Sequence, residues 1–392
     1  MSEQDVIIIG AGASGLMCAA TAAYRGRRVL LLEHTNKIGR KILMSGGGRC
    51  NFTHLHNTPA NFLGGNPHFC KSALSRFKAT DFVELVERHG VDYHEKTPGQ
   101  LFCNESSKAI LQLLLTECDW AGVEILTETQ VFEISRTDAG YNLRTSRGQF
   151  SSQSVVIATG GLSIPNGGAT GFAYRIAEQF GLNVTPTQAA LVPFTLQPDL
   201  LEHLKPLAGV SQPVRVSCNG MSFSDNLLFT HRGLSGPAIL QISSYWKAGD
   251  SIEIDLLPGL DLEHWLRQQR DERPKAELRT LLAQHMTKRL AQALCELWQI
   301  QGEAGQCSNA RIAEIAHHFS RWQVKPSGTE GYRTAEVTLG GIDTADVSQK
   351  TFEARTAPGL YFIGECLDVT GHLGGHNFQW AWASGYCAGQ HV

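Results

Sequence analysis

The sequence predicts an α/β protein with more than one domain, and three observations support this. The 392 residues are 42% hydrophobic and 18% charged, and at such a length a single hydrophobic core usually divides. A β-branched run, a glycine-rich turn and a small-residue helical pattern follow one another between residues 5 and 24. Strand-like runs then alternate with helical periodicity up to residue 190, and the same α/β pattern resumes at residue 336. The first domain is therefore expected to be discontinuous, with another segment inserted into it.

The elements follow from this pattern in chain order. It predicts strands at 5–9, 29–32, 123–126, 131–135, 141–145 and 155–158, and helices at 13–24, 79–89 and 108–120. Short strands joined by Pro and Gly turns between 191 and 257 indicate a β-rich segment, whereas residues 262–319 are helical in composition. We therefore expect a Rossmann-like domain at 1–190 and 336–392, a β-rich inserted domain at 191–260 with 322–335, and a helical subdomain at 261–321.

The charge, the cysteine spacing and the apolar segments argue against several classes of protein. With 34 Lys and Arg against 37 Asp and Glu, the net charge is −3, which argues against a surface coated for nucleic acid but leaves a local basic patch open. The ten cysteines contain no CxxC and no zinc-like spacing, which predicts no metal site and a reducing, cytoplasmic location. Glycines interrupt the apolar residues 6–24 and no secretory signal pattern is present, so we expect no membrane span.

A dinucleotide-binding fingerprint follows the first predicted strand. Gly10, Gly12 and Gly15 form GxGxxG between a strand and a helix, and Glu33 ends the next strand. The first glycine permits a tight turn, the second lets a pyrophosphate approach the backbone, and the third allows the helix to pack on the strand. Phosphates are stabilised at the helix N-terminus, and the Glu33 carboxylate would accept hydrogen bonds from a ribose. Because an acid here disfavours a 2′-phosphate, the pattern favours FAD or NAD over NADP.

Three further glycine-rich segments favour FAD over NAD. Residues 45–51 contain three consecutive glycines, where the backbone can lie close to a flat ligand. A nicotinamide enzyme has no need of such a cluster at this place. Residues 158–161 end an apolar strand, where open α/β sheets have their ligand crevice. Residues 364–375 contain the fourth cluster and lead into a helical tail.

The same segments carry a resemblance to a known family. In order from about residue 5 to residue 390, the chain contains GAGASGLMCA, GRKILMSGGGRCNFTH, VIATGGLSIP, LFTHRGLSGPAIL, AEVTLGGI and GLYFIGECLDVTGHLGGHNFQWAWASG. This series resembles the BaiN/RdsA-type (YhiN-like, HI0933-like) family of NAD(P)/FAD-dependent oxidoreductases. The resemblance implies bound FAD, a Rossmann-like domain, and an inserted β-barrel-like domain that carries a helical subdomain. It also implies NAD(P)H as a transient electron donor, since the sequence has no second GxGxxG.

The resemblance, together with the glycine-rich segments, also implies a set of cofactor-contacting residues. They are Gly10, Gly12, Ala13, Ser14, Gly15, Glu33, His34, Arg40, Lys41, Ser45, Gly46, Gly47, Gly48, Arg49, Cys50, Asn51, Val131, Ala158, Thr159, Gly160, Gly161, Gly364, Glu365, Asp368, Gly375, His376 and Asn377. Residues 375–377 would place a helix N-terminus near the flavin pyrimidine edge, where its dipole stabilises negative charge on reduced flavin. The family pattern usually has an aromatic residue at 376 and an aliphatic one at 366. His376 therefore either gives the flavin a new hydrogen-bond donor or fills the space of the usual ring.

Four residues are candidates for the chemistry: Cys50, His231, Arg232 and His372. Cys50 follows Arg49, whose charge would lower the pKa of the thiol; it is either a proton donor or a small side chain packed beside the flavin. His231 and Arg232 could orient a carbonyl, or His231 satisfies backbone groups while Ser235 caps a helix. His372, near Gly371, is interpreted in the same two ways as His231: it either acts in the active site or satisfies backbone groups.

A locally basic segment lies in the predicted helical subdomain. Between residues 264 and 290 there are seven Lys and Arg and three Asp and Glu. A basic stripe on these helices would suit an RNA phosphate backbone. Solvated helix faces give similar counts without any partner, so both interpretations stay open.

The family resemblance leaves several reactions open. Its members are linked to reduction of conjugated double bonds in steroid acids, to amine oxidation, and to dihydrouridine formation in large-subunit ribosomal RNA. The segments SCNGMSF, LLPGLDL and GTEGYRTAEVTLGG match the proteobacterial branch and favour FAD-dependent reduction of a uridine C5–C6 double bond in 23S rRNA. The alternatives are a reductase or oxidase of a small metabolite and, in another class, a flavin-binding redox sensor without turnover.

Overall fold

Two compact units make up the chain in a computed structural model that describes residues 2–392. The first unit consists of the described part of Met1–Gln188 together with Val337–Val392, and the second is Ala189–Glu336. Each unit has its own hydrophobic core.

The helices and strands follow one another in three stretches of the chain. The first stretch contains β1 (Ser2–Ile9), α1 (Ala13–Tyr24), β2 (Val29–Leu32), α2 (Arg40–Met44), β3 (Asn51–His54), β4 (Phe62–Leu63), α3 (Cys70–Arg76), α4 (Ala79–Arg88), β5 (Tyr93–Thr97), β6 (Gln100–Cys103), α5 (Lys108–Trp120), β7 (Glu124–Leu126), β8 (Val131–Thr137), β9 (Gly140–Thr145), β10 (Gly148–Ile157) and α6 (Phe172–Gln179). The second contains β11 (Gln188–Ala190), β12 (Phe194–Thr195), α7 (Pro198–Leu204), β13 (Ser211–Cys218), β14 (Met221–Phe229), β15 (Gly233–Ser235), α8 (Pro237–Ser243), β16 (Ile252–Asp255), α9 (Leu262–Glu272), α10 (Leu278–Leu282), α11 (Lys288–Leu297), α12 (Asn309–Ser320), β17 (Trp322–Val324) and β18 (Gly328–Thr329). The third contains β19 (Val337–Leu339), β20 (Leu360–Phe362), β21 (Thr370–Gly371) and α13 (His376–Gly389).

A seven-stranded sheet forms the centre of the first unit. Its order is β7-β2-β1-β10-β9-β8, with β20 paired to β10. The strands β7, β2, β1, β10 and β20 are parallel to one another, and β9 and β8 extend the sheet in antiparallel fashion. All four residues of β2 and residues 6–9 of β1 are buried, as parallel strands covered on both faces require. The predicted α/β fold with a Rossmann-type parallel sheet is confirmed.

The strand predicted at 155–158 is the end of a longer strand. β10 begins at Gly148, because residues 148–152 form a hairpin with β9, and residues 150–157 lie parallel to β1. Only residues 155–157 form a continuous apolar run, and all three are buried, whereas the rest of the strand contains exposed positions. Apolar periodicity therefore detected the buried apolar part and missed the hairpin.

The second unit contains a seven-stranded antiparallel sheet in the order β17-β16-β13-β14-β15-β12-β18. Helices α7 to α12 belong to the same unit, and their apolar residues share its core with the sheet. Closure of this sheet into a barrel stays a prediction. In neither unit does a described helix have the length and apolarity needed to cross a membrane.

Candidate functional site

Four strands of the first unit end side by side and define a crevice. Ile9 of β1 lies opposite Leu32 of β2 and Ile157 of β10, and Ile157 lies opposite Phe362 of β20. Because these strands are parallel, the residues that follow them emerge at the same edge of the sheet. The glycine-rich turn after β1, Glu33, and the segments 158–161 and 363–366 are therefore brought together, at the place where open α/β sheets bind ligands.

The first glycine-rich turn has the geometry that its sequence predicts. Gly10 has φ +108°, and an added Cβ would lie 2.5 Å from the carbonyl oxygen of Ala158. At Gly15 an added Cβ would overlap the carbonyl oxygen of Gly10, so α1 can pack closely only on a glycine. At Gly12 an added Cβ would meet no atom within 4 Å. The turn thus leaves open space directly in front of the N-terminus of α1, beside the partly buried Ala13.

Glu33 is held as an ionised hydrogen-bond acceptor. Its carboxylate accepts from the backbone N–H of Ala11 (3.1 Å) and of Thr35 (2.8 Å), and it lies 3.2 Å from Nδ1 of His34. Burial alone would raise the pKa of Glu33, but the hydrogen bonds from His34, Thr35 and Ala11 outweigh it and leave the pKa below its usual value. An ionised carboxylate at the end of β2 is the acceptor that ribose hydroxyls require.

The stretch that leads into Val131 lies beside Glu33. The backbone N–H of Thr129 donates to the carbonyl oxygen of Glu33 at 2.9 Å, and Val131 itself is the first residue of β8 and is buried. Val131 therefore lies two residues along the chain from Thr129, whose backbone contacts the residue predicted to bind ribose.

The second glycine cluster forms an open loop. Gly46, Gly47 and Gly48 all have positive φ, between 57° and 87°. The loop closes on itself through the backbone bond from Cys50 N–H to the Ser45 carbonyl (3.1 Å). No atom lies within 4 Å of a Cβ added at Gly47 or Gly48, so the backbone offers an unobstructed surface to a flat ligand.

Cys50 does not have the environment expected of an activated thiol. It has 0% exposure, and burial raises the pKa of its thiol to about 12. The expectation that Arg49 lowers this pKa is wrong, because the Arg49 side chain is exposed while that of the next residue faces the core. The burial agrees with the interpretation of Cys50 as a small packed side chain.

A polar network joins three glycine-rich segments at the crevice. Lys41 Nζ donates to Glu365 Oε2 and to Ser163 Oγ, both at 2.5 Å, and Ser163 Oγ donates to Glu365 Oε1 at 2.9 Å. Thr338 adds its backbone N–H to Glu365 Oε1 at 3.0 Å. A Cβ at Gly161 would lie 2.9 Å from that same oxygen. Ser163 and Thr338 are not among the residues predicted from the sequence, although they lie in the family segments VIATGGLSIP and AEVTLGGI.

Two unsatisfied polar atoms lie in the same segments. Among the described residues, Thr159 Oγ1 and Arg40 Nε are buried side-chain atoms without a hydrogen-bond partner. Thr159 follows β10 directly beside Gly160, and Arg40 begins α2 beside Lys41. Buried polar groups are normally paired, so these atoms, with the open space at Gly12 and Gly47, fit a long polar ligand such as FAD.

His376, at the start of α13, contacts other side chains of the first unit. It is 3% exposed, its ring stacks on that of His54 at 4.4 Å, and its Nδ1 lies 2.7 Å from Asn57 Oδ1. Burial, with the nearby His54 and His372, lowers the pKa of His376 to about 3. A neutral ring has a single N–H, and here it donates to Asn57. This contact favours the interpretation in which the ring fills space beside Gly375, the N-cap of α13, and a donor role of His376 towards the flavin stays a prediction.

The segment before α13 is fixed by its own side chains. Asn377 accepts from the backbone N–H of Gly371 and donates to the carbonyl oxygens of Gly371 and His372. Burial lowers the pKa of His372 to about 4. Asp368 is buried and accepts from the backbone N–H of Gly65 at 2.8 Å, and Ser14 is buried against Gly364. Asn377 and Asp368 thus shape the crevice through the backbone that they hold.

A family model described as "HI0933-like protein Rossmann domain" matches residues 4–391. The chain belongs to the HI0933-like family. A protein of Escherichia coli (strain K12) named ribosomal RNA dihydrouridine synthase is 53% identical over 392 residues, which cover 100% of this chain and 98% of that protein. A protein of the same name from Haemophilus influenzae (strain ATCC 51907 / DSM 11121 / KW20 / Rd) is 49% identical over 389 residues, covering 97% of each.

A solved structure shares the fold of this HI0933-like chain at low sequence identity. A 3-ketosteroid-delta4-(5alpha)-dehydrogenase from Rhodococcus jostii RHA1, in complex with 4-androstene-3,17-dione, is 14% identical. The match covers 99% of this chain and 97% of the other, with a TM-score of 0.50. At this identity the likeness shows the fold alone.

The second unit of the HI0933-like chain carries the candidates His231 and Arg232. Both are exposed in the turn between β14 and β15, and Arg232 lies 3.8 Å from the carboxylate of Glu330. The interpretation of Ser235 as a helix cap is wrong, because Ser235 ends β15 and Gly236 is the N-cap of α8 without a side-chain hydrogen bond. A catalytic role for the pair stays a prediction.

The basic segment of the second unit is partly neutralised. Arg267 pairs with Glu263, Arg270 lies 3.2 Å from Asp271, and Arg289 donates to backbone carbonyl oxygens of residues 206 and 208. Residues 189–336 as a whole contain 15 Lys and Arg against 16 Asp and Glu. The second unit is therefore not basic overall, and the idea of an RNA-binding stripe rests on the four exposed side chains Arg273, Lys275, Arg279 and Lys288.

Proposed function

We propose that this chain is an FAD-dependent oxidoreductase that reduces a uridine C5–C6 double bond in large-subunit (23S) ribosomal RNA to dihydrouridine. The observation that carries the proposal is the full-length identity of 53% and 49% to two proteins named ribosomal RNA dihydrouridine synthase. The crevice of the first unit supports it, since its turns, carboxylate and unsatisfied polar atoms suit a flavin dinucleotide. NAD(P)H is proposed as the electron donor, and the cytoplasm, where ribosomes are assembled, as the location.

Different residues of the crevice would bind different parts of FAD. The N-terminus of α1, reached through the open space at Gly12, would bind the pyrophosphate, because its unpaired N–H groups favour phosphate oxygens. Glu33 would accept from the adenosine ribose, and the loop 45–50 would lie against the flat ring system. When bound, FAD would supply the hydride that uridine C6 receives. The positive end of α13 would stabilise negative charge at the pyrimidine edge.

Reduction of the double bond also requires a proton at uridine C5. A general acid works best with a pKa near the operating pH, and neither candidate in the first unit has one. Cys50 is enclosed with a thiol pKa of about 12, and His372 is neutral because burial lowers its pKa to about 4. His372 is only partly buried, so it is proposed as the group that orients the proton source, with Cys50 as a packing residue.

Replacing Cys50 by alanine tests this assignment. We expect single-turnover dihydrouridine formation within about threefold of wild type, since removal of a true general acid costs about 10²- to 10⁴-fold. Cys103→Ala is the matched control, because Cys103 is also a buried thiol whose pKa burial raises. A loss of 100-fold or more in Cys50→Ala alone would restore Cys50 as the proton donor.

Mapping of rRNA modifications in a strain that lacks this gene tests the proposed function itself. We expect one dihydrouridine of 23S rRNA to disappear and to return when the wild-type gene is supplied. An unchanged modification map would contradict the proposal. In that event, rapid oxidation of the reduced protein by a small enone would favour a metabolite reductase, and reoxidation by air alone would favour a redox sensor.

A further inference from the structure

One stretch of the first unit is basic without any acidic residue. Residues 34–80 contain seven Lys and Arg and no Asp or Glu, in a chain with 37 acidic residues in total. At the average composition of the chain, about four acids would fall in such a stretch. This stretch therefore has an excess of seven positive charges, against four in residues 264–290, although the first unit as a whole has 19 Lys and Arg and 21 Asp and Glu.

Several of these cations are not neutralised by carboxylates. Lys37, Arg49, Lys71 and Lys78 are exposed, and among the described residues none of them forms an ion pair. Lys41 is the exception, since it pairs with Glu365. Exposed cations without internal ion partners are available to pair with the phosphates of a polyanion.

A cleft lies within the same stretch. It has a volume of about 430 Å³ and is lined entirely by residues of the segment 58–71. One part is apolar and consists of Pro59, Ala60, Phe62 and Pro67, and the other is polar: Thr58, His68 and Lys71. The volume is within the roughly 300–1,000 Å³ range of ligand pockets. An apolar floor beside the Lys71 ammonium group and the polar side chains of Thr58 and His68 matches the two halves of a nucleotide, a flat base and a phosphate.

The cleft is next to the end of the crevice where α13 begins. Phe62, in β4, pairs through its backbone with Gly371 of β21, and its ring meets the ring of His376 edge-on at 6.0 Å. His372 donates its backbone N–H to the carbonyl oxygen of Asn61 at 2.8 Å. A ligand in the cleft would therefore contact Phe62, which in turn contacts the first residue of α13.

We propose that this cleft binds a single-stranded nucleotide of the RNA substrate, adjacent to the uridine that is reduced. Its base would rest on the apolar floor and its phosphate would lie against Lys71 and His68, as proteins that read single-stranded RNA combine apolar contact with cationic grooves. The inference rests on the proposed function, which it extends by giving the RNA a binding surface on the first unit.

Binding of a fluorescent single-stranded oligouridine to the FAD-loaded protein tests the cleft. Lys71→Ala should weaken binding about tenfold and reduce the slope of log K against log salt by about 0.7, the value for one phosphate contact on a single strand. Ala60→Glu places a carboxylate on the exposed floor and should also weaken binding at least tenfold. Lys325→Ala, an exposed lysine of the second unit, is the matched control and should bind like wild type.

The remaining arms separate this proposal from its competitors. Retained FAD absorbance in each variant shows that the crevice is intact. Wild-type affinity in both Lys71→Ala and Ala60→Glu would contradict RNA binding by the cleft. A loss of affinity confined to a further variant, Lys288→Ala, would also contradict it and would place the RNA on the second unit. Binding that depends on Lys71 in a protein that forms no dihydrouridine supports the cleft and contradicts the proposed reaction. Absence of oligouridine binding by wild type overturns the proposed cleft, and the rRNA modification map then decides the proposed function separately.

Discussion

Replacing Gly12 by alanine is expected to give a folded protein that no longer retains FAD. Gly12 has φ −89° and ψ −167°, a conformation that alanine adopts, and an added Cβ meets no protein atom within 4 Å. The stability of the FAD-free protein should therefore change by no more than about 0.5 kcal/mol. The same methyl group occupies the space through which a pyrophosphate approaches the backbone. We expect the Kd for FAD to rise at least ~100-fold, about 2.7 kcal/mol, as measured by equilibrium titration of flavin fluorescence.

Two further glycine variants make this result specific. Gly26→Ala makes the same chemical change beyond the other end of α1, where an added Cβ also meets nothing within 4 Å. Because Gly26 has φ +81°, this variant should lose some stability, but its Kd for FAD should stay unchanged. Gly15→Ala should instead destabilise the protein itself, because its Cβ would overlap the Gly10 carbonyl oxygen. A Gly12→Ala protein that binds FAD as wild type does would show that this crevice is not the dinucleotide site.

The parts of the site that sequence could predict are those whose signal is local. Gly10, Gly12, Gly15 and Glu33 lie within one strand–helix–strand unit, so their spacing fixes their geometry once the strands are parallel. The register of β1, β2, β10 and β20 then follows from their apolar runs, and it brings the predicted turns to one edge.

The parts that sequence could not predict depend on contacts between distant segments. Lys41 meets Glu365 across more than 300 residues, and Asn57 meets His376 across a similar separation. The error on Cys50 has the same origin, because Arg49 precedes it in sequence but faces solvent. Adjacency along a chain in a tight loop does not imply that two side chains share an environment, and only the fold determines which of them is buried.

His376→Phe is expected to make the protein less sensitive to acid. In the folded state burial lowers the pKa of His376 to about 3 and that of His372 to about 4, whereas both have ordinary values near 6.5 when the chain is unfolded. Above pH 6.5 both states are neutral at these positions and contribute no pH dependence. Below pH 6.5 the unfolded chain binds protons that the folded chain does not, so stability is lost as the pH falls towards the folded pKa values.

The His376→Phe variant lacks one of the two histidines that take up a proton on unfolding, and it also lacks one hydrogen bond of the folded protein. At pH 7.5 Asn57 Oδ1 loses its donor, which should cost about 1–3 kcal/mol, while an aromatic ring still stacks on His54. At pH 5 the free energy of unfolding of wild type is about 2 kcal/mol lower than at pH 7.5, because His376 takes up a proton on unfolding. The variant has no titrating group at this position and does not lose this stability. Denaturant unfolding in excess FAD should thus show the stability difference, variant minus wild type, rising by about 2 kcal/mol between these pH values. His264→Phe, at an exposed position of the second unit, should show no such rise. A constant difference would mean that His376 is already protonated in the folded protein, and a charged ring could then donate from both nitrogens at the start of α13.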